Sequence, residues 1–521
     1  MNQSQHNKQV LMIGLEAGEP TLVKKWAEEG KLPAFKHLIE RGSWRQLRST
    51  TEISSGATWA SLITGTNPAK HGMAFYHRQL KPGTYRIQKK YAEETAVDPF
   101  WQSLSQNGKR TAVLDVPDSH VTKNLNGMMI VGWGAEGLNA KQRSWPKNLF
   151  KDIFSRFGHH PLEFWYQEKP KTIEGWKELE EKLLEGTRRR TEIAKWILEK
   201  EPWDFYLIGY AETHWVGHYF WHICDPRHPE YDADLHHACG DPVLKVYQEV
   251  DRGIDALLKI YPEATILIVS NTGMGPNFSG QHLLPEILTR LGYSGKKKPK
   301  GIHNFLPGHR WGPYYAIKKF ESVIPPPLMQ KIKRITPEKV WDSVTRYILS
   351  MGNNWKNSKA FNVPSDYSGA IRINLKGREP EGKVEPGSEY DKICELITQD
   401  LMELINSETG ERAVKGVVKT KELYQGEHLD ELQDLIVQWN LSAPINHLES
   451  KKIGKVSGVL PDKRTGAHMV NGFLLACGKG IKSNQEFDEA HILDVAPTIL
   501  HLFEQPVPKI MDGKILSDIF K

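Results

Sequence analysis

The chain has 521 residues, of which 39% are hydrophobic and 25% are charged, a balance typical of a globular protein with a large buried core. The 69 basic and 63 acidic residues are interspersed and leave a net charge of only +6, so no nucleic-acid-binding face is predicted. The sequence has no run of 18 apolar residues, so we expect no membrane-spanning helix.

Two features of the sequence bear on the cellular compartment. The first nine residues are polar and are followed by only a short apolar segment, unlike the apolar core of a secretory signal. The four cysteines are scattered and form no C-x-x-C pair, which is typical of reduced thiols rather than of a disulfide framework. We therefore expect a cytoplasmic protein that does not associate with membranes.

Short apolar runs alternate with helical patterns along the chain. The runs predict buried strands, and apolar residues on one helical face predict helices. In chain order the predicted elements are a strand at 10–15, a helical region at 20–40, strands at 111–115, 128–131 and 205–209, a helix at 240–261, strands at 264–270 and 370–375, a helix at 390–405, strands at 434–438 and 473–476, and a helix at 493–503. This order predicts an α/β fold, a three-layer α/β/α sandwich with a mostly parallel central sheet.

We predict a single domain over residues 1–521 with two insertions. Residues 140–200, rich in Trp, Lys and Glu, and residues 295–360, rich in Pro, Lys and Trp, fit the alternation poorly. We interpret both regions as insertions that cap one edge of the sheet. Ligands of such sheets bind beyond the carboxyl ends of the strands. The segments after the first strand and after strands 205–209 and 264–270 are therefore expected to carry the chemistry.

The segment after strand 205–209 contains two histidines with a spacing suited to metal binding. His214 and His218 are four residues apart, which on a helix places both rings on one face. His468, in the sequence T-G-A-H, can supply a third imidazole. Three histidines with an open position form a known catalytic zinc arrangement. An aromatic core helix with hydrogen-bonded histidines is the alternative interpretation of this local pattern.

Four residues around the histidine pair are candidates for supporting or substrate-contacting roles. Glu212, His222 and Asp225 are placed to orient the ligand rings. Trp215 belongs to a cluster of aromatic residues that would line a dry pocket, although core packing is the commoner role of such a residue.

A pair of serines that precedes a short helical pattern is the next candidate feature. Ser54 and Ser55 stand before the sequence G-A-T-W. A serine at such a turn has its hydroxyl near free backbone N–H groups and the positive end of the helix dipole, which suits a nucleophile for an anionic ester. A helix N-cap is the simpler interpretation. Glu16, directly after the first strand, is either a cation ligand at the sheet edge or an ordinary loop acid.

Several motifs, taken in order, resemble those of one known superfamily. Residues 65–72 (GTNPAKHG) are similar to the signature T-G-x-x-P-x-x-H-G. Further matches are residues 373–382 (INLKGREPEG) and 494–498 (DVAPT). Together they resemble the alkaline phosphatase superfamily, and most of all its branch of type I phosphodiesterases and nucleotide pyrophosphatases. The resemblance runs from about residue 10 to residue 515 and implies the alkaline-phosphatase-like fold.

The resemblance also implies roles for individual residues. Ser55 stands at the position of the family nucleophile and Thr58 is its polar neighbour. His468 stands at the position of a late histidine ligand. Two departures concern acidic ligands, because Glu16 replaces an aspartate at the first strand and His214 replaces an aspartate four residues before His218.

The third departure follows strand 264–270, where Asn271 and Thr272 replace an Asp-His pair. Asparagine and threonine are weak neutral ligands for zinc, so one half of the usual two-metal site has lost its strong ligands. The half with three histidines is intact. We therefore predict one zinc ion, and leave open whether Glu16 binds a second, weaker cation or acts as a general base near Ser55.

Three functions are compatible with this altered site. The favoured one is a metal-dependent hydrolase or transferase that acts on a phosphate, phosphodiester, sulfate or phosphonate ester, with Ser55 as nucleophile or orienting group. The others are a different metal-assisted reaction on a small metabolite and a metal-binding pseudoenzyme. The expected partner is a small anionic ester, not nucleic acid or a membrane. The particular substrate and the oligomeric state are left open.

Overall fold

The computed structural model describes residues 8–50, 52, 54–74, 78–134, 143–162, 169–295, 354–460, 462 and 464–521. In these ranges the strands are β1 (Val10–Leu15), β2 (Ser43–Arg48), β3 (Arg78–Leu80), β4 (Ile87–Lys89), β5 (Thr111–Leu114), β6 (Gly127–Ile130), β7 (Ser144–Trp145), β8 (Phe205–Tyr210), β9 (Thr265–Ser270), β10 (Gly273–Pro276), β11 (Ala360–Asn362), β12 (Gly369–Ile373), β13 (Ile405–Asn406), β14 (Val414–Lys419), β15 (Leu435–Trp439), β16 (His447–Ser450), β17 (Gly454–Ser457), β18 (Gly466–Met469), β19 (Asn471–Cys477) and β20 (Gln485–His491).

The α-helices of the same ranges alternate with these strands. They are α1 (Pro20–Glu28), α2 (Pro33–Arg41), α3 (Thr58–Thr64), α4 (Pro68–His71), α5 (Phe100–Gln106), α6 (Leu149–Phe157), α7 (Ile173–Leu198), α8 (Glu212–Cys224), α9 (Ala233–Cys239), α10 (Pro242–Ile260), α11 (Leu284–Arg290), α12 (Ser388–Met402), α13 (Thr420–Leu423) and α14 (Val495–Leu502). None of these described helices has the length and apolar character needed to span a bilayer.

A nine-stranded sheet lies at the centre of the described structure, in the order β20-β2-β19-β9-β1-β8-β5-β6-β7. Its pairings are mostly parallel, and the antiparallel ones involve β19 and the edge strand β7. All six residues of β1 are buried, as expected for a central strand with helices on both faces. The predicted α/β fold with a mostly parallel central sheet is confirmed.

Helices cover both faces of this sheet, and the side chains of β1 alternate between two cores. Leu11 and Ile13 belong to the core formed with α1, α2, α7, α8 and α10. Met12 belongs to the core formed with α3, α5 and α14. Each fully buried aliphatic side chain of this kind stabilises the fold by roughly 1.5–3 kcal/mol. The two cores define the outer layers of the sandwich.

Three neighbouring parallel strands end at the same level of the sheet. Leu15 at the end of β1 pairs with Tyr210 of β8 on one side and with Ser270 of β9 on the other. The chain therefore leaves the sheet at one edge after each of these strands. This edge is where the sequence predicts the chemistry.

A second, four-stranded antiparallel sheet has the order β11-β12-β15-β14 and a core of its own with α11 and α12. Strands predicted at 370–375 and 434–438 are its members β12 and β15. Both were predicted within the α/β alternation, but they pair with each other antiparallel. Apolar runs indicate that strands are buried and do not specify their pairing partners.

The two predicted insertions are only partly described. In the region 140–200 the long helix α7 buries Leu183 and Ile193 in the same core as α8 and α10, so it belongs to one of the helical layers. Residues 296–353, most of the second predicted insertion at 295–360, lie outside the described residues. The division into one domain with two capping insertions stays a prediction.

Candidate active site

The predicted nucleophile lies in a tight turn between β2 and α3. Ser54 caps this turn, a 3-10 turn at Ser55–Ala57, because its Oγ accepts the N–H of Gly56 at 3.1 Å. The capping role suggested for the serine pair therefore belongs to Ser54. The Ser55 hydroxyl instead donates to the carboxylate of Asp366, and Thr58 Oγ1 donates to the Ser55 carbonyl at 2.7 Å.

Asp366 is a site residue that the sequence did not reveal. It lies 311 residues after Ser55, between β11 and β12 of the second sheet, and its Oδ2 also accepts the Ser55 N–H at 2.8 Å. Its side chain is buried, and burial raises its pKa although the hydrogen bonds from Ser55 act in the opposite direction. An isolated aspartate between two short strands carries no recognisable spacing, which is why it was missed.

The three predicted histidine ligands converge. His214 and His218 project from adjacent turns of α8, with ring centroids 4.3 Å apart. His468 of β18 lies opposite them, with centroid distances of 4.9 Å and 5.1 Å. Each residue offers one nitrogen, and these atoms lie within 4.8 Å of one another. Among the described residues this is the only group of three or more side chains arranged to hold a metal ion.

Gly466 allows β18 to approach α8 this closely, and Gly217 makes room for Met274 of β10. A Cβ on Gly466 would stand 2.2 Å from the backbone oxygen of Gly217, and a Cβ on Gly217 would stand 2.6 Å from the Met274 side chain. Real side chains do not tolerate such distances, so the helix and the strand meet backbone to backbone. This contact brings His468 to the face of α8 that carries the other two histidines.

The Nδ1 nitrogens of two of these histidines lie within hydrogen-bond distance of an oxygen atom. His218 Nδ1 lies 2.7 Å from the carbonyl of Gly466, which can only accept, so Nδ1 carries the hydrogen and Nε2 keeps its lone pair. Thr272 Oγ1 lies 2.9 Å from His468 Nδ1. Such contacts orient imidazoles for metal binding. Thr272, which replaces a strong ligand of the family, thus contacts a predicted ligand.

Burial keeps all three rings neutral. It lowers the pKa of His468 to about 3 and holds the pKa values of His214 and His218 well below their usual range. Neutral imidazole is the form that binds a metal ion. Three neutral, converging nitrogens therefore fit a zinc ion.

The other half of the site is a hydrogen-bonded network. Glu16 accepts from the indole N–H of Trp59 and from Asn271 Nδ2 at 3.3 Å. Asn271 also donates to Thr58 Oγ1 at 2.8 Å and accepts the N–H of Ala17 at 3.0 Å, which holds Ala17 at a positive φ of 53°. Asn271 thus acts as the centre of the network. Among the described residues, Glu16 is not one of the side chains grouped to hold a metal ion. Its predicted cation-binding and general-base roles stay predictions.

Glu212 has a different environment from the predicted one. Both of its oxygens accept from Arg190 Nε at 3.0 Å, and His160 Nε2 lies 2.9 Å from one of them. Arg190 also binds Asp115 at 2.6 Å. Burial is the largest single effect and opposes ionisation of Glu212, but the charge of Arg190, the hydrogen bond from His160 and smaller effects together outweigh it and lower the pKa of the carboxyl to about 2. This buried network connects α7, α8 and the end of β5.

The remaining predicted residues lie along α8. His222 is one turn beyond His218, and its Nδ1 lies 3.2 Å from Thr465 Oγ1 in the segment that leads to His468. Asp225 follows the end of the helix, and its carboxylate forms an ion pair with Arg227 at the surface.

Trp215, the predicted pocket residue, belongs to α8 and packs against the hydrophobic core. Its ring stacks on Tyr219 with centroids 6.0 Å apart, and it is half-buried. Core packing, the commoner role of such a residue, accounts for these contacts.

A tyrosine and an arginine complete the surroundings of the histidine cluster. Tyr367 Oη lies 3.5 Å from His218 Nε2. The Arg464 guanidinium lies 5.7 Å from the centroid of the Tyr367 ring and pairs with Asp462 at 2.6 Å. Next to burial, the charge of Arg464 is the main cause that lowers the pKa of His468. A fixed positive charge here suits an anionic ligand.

Comparison with known proteins identifies the family of the chain. Residues 10–459 match the family described as type I phosphodiesterase / nucleotide pyrophosphatase. The chain belongs to this family. The predicted resemblance is therefore confirmed, and membership in the type I phosphodiesterase family makes the chain a hydrolase related to enzymes that cleave phosphoesters.

Similar solved structures include human ectonucleotide pyrophosphatase / phosphodiesterase 5 and the Sinorhizobium meliloti phosphonoacetate hydrolase in complex with phosphonoformate. The human protein is 12% identical, with 99% of this chain and 100% of that chain covered and a TM-score of 0.49. The hydrolase is 12% identical, with 94% of each chain covered and a TM-score of 0.50, a likeness in fold alone. None of the curated proteins compared with the chain matches it.

Proposed function

We propose that this member of the type I phosphodiesterase family cleaves or transfers a small anionic phosphoester, using one zinc ion and Ser55 as the nucleophile. The observation that carries the proposal is the convergence of His214, His218 and His468, whose ligand nitrogens lie within 4.8 Å of one another. These residues would hold the zinc ion. Bound there, zinc would offset the negative charge of the ester and polarise one of its oxygens.

Two short paths connect Ser55 to the histidine cluster, which supports a shared site. Thr58 bonds the Ser55 carbonyl and accepts from Asn271, whose neighbour Thr272 contacts His468. On the other side, the Ser55 hydroxyl bonds Asp366, whose neighbour Tyr367 approaches His218.

The protein's own groups supply the remaining chemistry. The hydroxyl of Ser55, a residue that is only 6% exposed, would attack phosphorus in surroundings from which most water is excluded. The charge of Arg464, whose Nε and Nη2 donate to Asp462, would help to attract the anionic ester. Phosphate, sulfate and phosphonate esters share the negative charge of such an ester, so all three are candidate substrates.

The altered half-site favours one zinc ion over the family's usual pair. Elemental analysis of the purified protein is expected to give one zinc per chain, lost in His214→Ala and in His468→Ala. The control His447→Ala, at a partly exposed histidine on β16, should keep the zinc. Two equivalents of zinc, both lost on His214→Ala, would contradict the one-zinc proposal.

The nucleophile can be tested with aryl phosphate monoesters and diesters and with aryl sulfates and phosphonates. Ser55→Ala should lower turnover of the best substrate by roughly four orders of magnitude or more, because the hydroxyl that forms the covalent intermediate is lost. Ser54→Ala, which removes the neighbouring cap, should cost about 1 kcal/mol of stability and far less turnover. Equal activity of Ser55→Ala and wild type would rule out this role.

A second candidate is a different metal-assisted reaction on a small metabolite, and the third is a metal-binding pseudoenzyme. The second half of the site supports both alternatives, because there neutral donors, the Trp59 N–H and the Asn271 amide, bond the Glu16 carboxylate. Either alternative would retain the zinc ion while every ester of the panel stays intact. Turnover of a metabolite extract would then separate the enzyme from the binding protein.

A further inference from the structure

We propose that Asp366 is a catalytic residue that accepts the proton of the Ser55 hydroxyl as this oxygen attacks the substrate. The inference rests on the proposed role of Ser55 as the nucleophile and adds the base that activates it. It assigns a function in the site to the second sheet, because Asp366 lies between β11 and β12.

The contact between the two residues is direct and buried. One carboxylate oxygen of Asp366, Oδ2, accepts from both the hydroxyl and the N–H of Ser55, the latter at 2.8 Å. The two residues are 1% and 6% exposed, so little water competes for either bond. A base must lie within hydrogen-bond reach of the proton that it removes, and Asp366 meets this condition before any substrate is bound.

The segment around Asp366 is tied to the main body of the protein on both sides. Gln281 Nε2 donates to the Asp366 carbonyl, and Ser368 Oγ donates to the carbonyl of Glu52 at 2.9 Å. The other carboxylate oxygen of Asp366 accepts the N–H of Tyr367 at 3.2 Å. The carboxylate is therefore held in position against Ser55, as precise proton transfer requires.

A serine hydroxyl is a weak nucleophile and needs a base or a metal ion to activate it. The residues after β9, Asn271 and Thr272, offer only neutral oxygens there, which are weak zinc ligands. The carboxylate of Glu16 is bonded to Trp59 and Asn271. Asp366 contacts the Ser55 hydroxyl directly.

The charge environment is compatible with this role. Burial raises the pKa of Asp366, which makes its ionised form a stronger base than an exposed aspartate. The Ser55 hydrogen bonds and the charge of Arg464 act in the opposite direction and favour the ionised form.

The proposed reaction has two halves. The Ser55 Oγ–P bond forms while the Oγ–H proton passes to Asp366 Oδ2, and the P–O bond to the alcohol leaving group breaks with its electron pair on the leaving oxygen. In the second half, water attacks phosphorus, the Oγ–P bond breaks, and Ser55 recovers the proton from Asp366. Water supplies the oxygen of the released phosphate and one proton for the leaving alcohol.

A purely structural role is the alternative, because Asp366 also binds the N–H at the start of the turn. The chain offers a matched control in Asp251, another buried aspartate, which accepts the backbone N–H groups of Ala34 and Phe35. Burial raises its pKa as well. Asp251→Asn should therefore reproduce the structural cost of Asp366→Asn without affecting Ser55.

The test measures the reactivity of Ser55 with diisopropyl fluorophosphate in the zinc-loaded protein, read by intact mass and peptide mapping. Asp366→Asn should slow the labelling of Ser55 by about 10²–10⁴-fold, while Asp251→Asn labels at the wild-type rate. With bis(p-nitrophenyl) phosphate as substrate, Asp366→Asn should reduce kcat by a similar factor and leave KM within a few fold of the wild-type value. Labelling and kcat of Asp366→Asn within a few fold of wild type would overturn the proposal.

Two further measurements keep the outcomes distinct. If wild type is not labelled at Ser55 and Ser55→Ala retains turnover, the proposed nucleophile fails, whatever Asp366 does. Melting temperature and zinc content identify a variant that is merely misfolded. In that case Asp366→Ala with added sodium formate decides: a saturable recovery of labelling supports proton transfer to a carboxylate, and no recovery contradicts it.

Discussion

Glu212 lies two residues before His214, yet its carboxylate stabilises the packing of two helices. It shares Arg190 with Asp115 in surroundings with almost no solvent. Removing one member of such a buried group leaves an uncompensated charge, which is far costlier than losing a surface ion pair. Proximity in sequence to a ligand is therefore a poor guide to the role of a charged residue.

Glu212→Ala should lower the free energy of unfolding by roughly 3–5 kcal/mol, because Arg190 loses one of its two buried carboxylate partners. Urea unfolding followed by circular dichroism measures this. Glu486→Ala breaks the exposed pair with Lys24 and should change stability by less than about 1 kcal/mol. If the two variants were equally stable, the buried network would have no structural role.

At the scale of elements, the metal centre depends on how closely a helix and a strand approach. The i, i+4 spacing of His214 and His218 follows from the regular geometry of α8. The position of His468 depends on the backbone contact between Gly217 and Gly466. The first two ligands are thus a property of one element, whereas the third is a property of two elements packed together.

Gly466→Ala should disrupt this contact, because the new Cβ would meet the backbone oxygen of Gly217. Overpacking of this kind costs about 1–3 kcal/mol. We expect zinc affinity to fall at least about tenfold, as measured by competition with a chromophoric chelator, because His468 moves from the other ligands. Gly416→Ala on β14 has a flexible side-chain neighbour and should keep zinc affinity; equal affinities in both variants would contradict the role of the glycine contact.

Across the whole molecule, buried neutral histidines make the fold sensitive to acid. Burial lowers the pKa of His71 to about 3 and that of His282 to about 4, below the usual 6.5. As pH falls below 6.5, the unfolded chain binds protons that the folded chain excludes. Stability conferred by the neutral rings is therefore complete above pH 6.5 and is lost progressively as the pH approaches the folded values.

His71→Asn should make this dependence shallower. An asparagine oxygen can replace Nδ1 as the acceptor of the Met73 N–H, while the titrating group is removed. Between pH 6.5 and 4, the slope of unfolding free energy against pH should decrease by up to ~1.4 kcal/mol per pH unit. Urea titrations of metal-free protein at several pH values measure it, and identical slopes for variant and wild type would contradict the assignment.

The sequence by itself determined the features that one element can express. The apolar run of β1 was predicted with its observed bounds, Val10–Leu15, because a strand buried on both faces must be apolar throughout. Helical periodicity brought His214 and His218 to one face, and the motif resemblance indicated Ser55 and His468. The fold class and the family follow from these local patterns.

The tertiary structure alone decided which distant groups meet. It placed Asp366 against Ser55 across 311 residues, assigned Glu212 to a buried ion network, and turned Thr272 into a partner of His468. Sequence patterns record spacing along the chain and preference for burial. The pairing of two sheets and the approach of two backbones depend on packing between elements, and no local pattern records that packing.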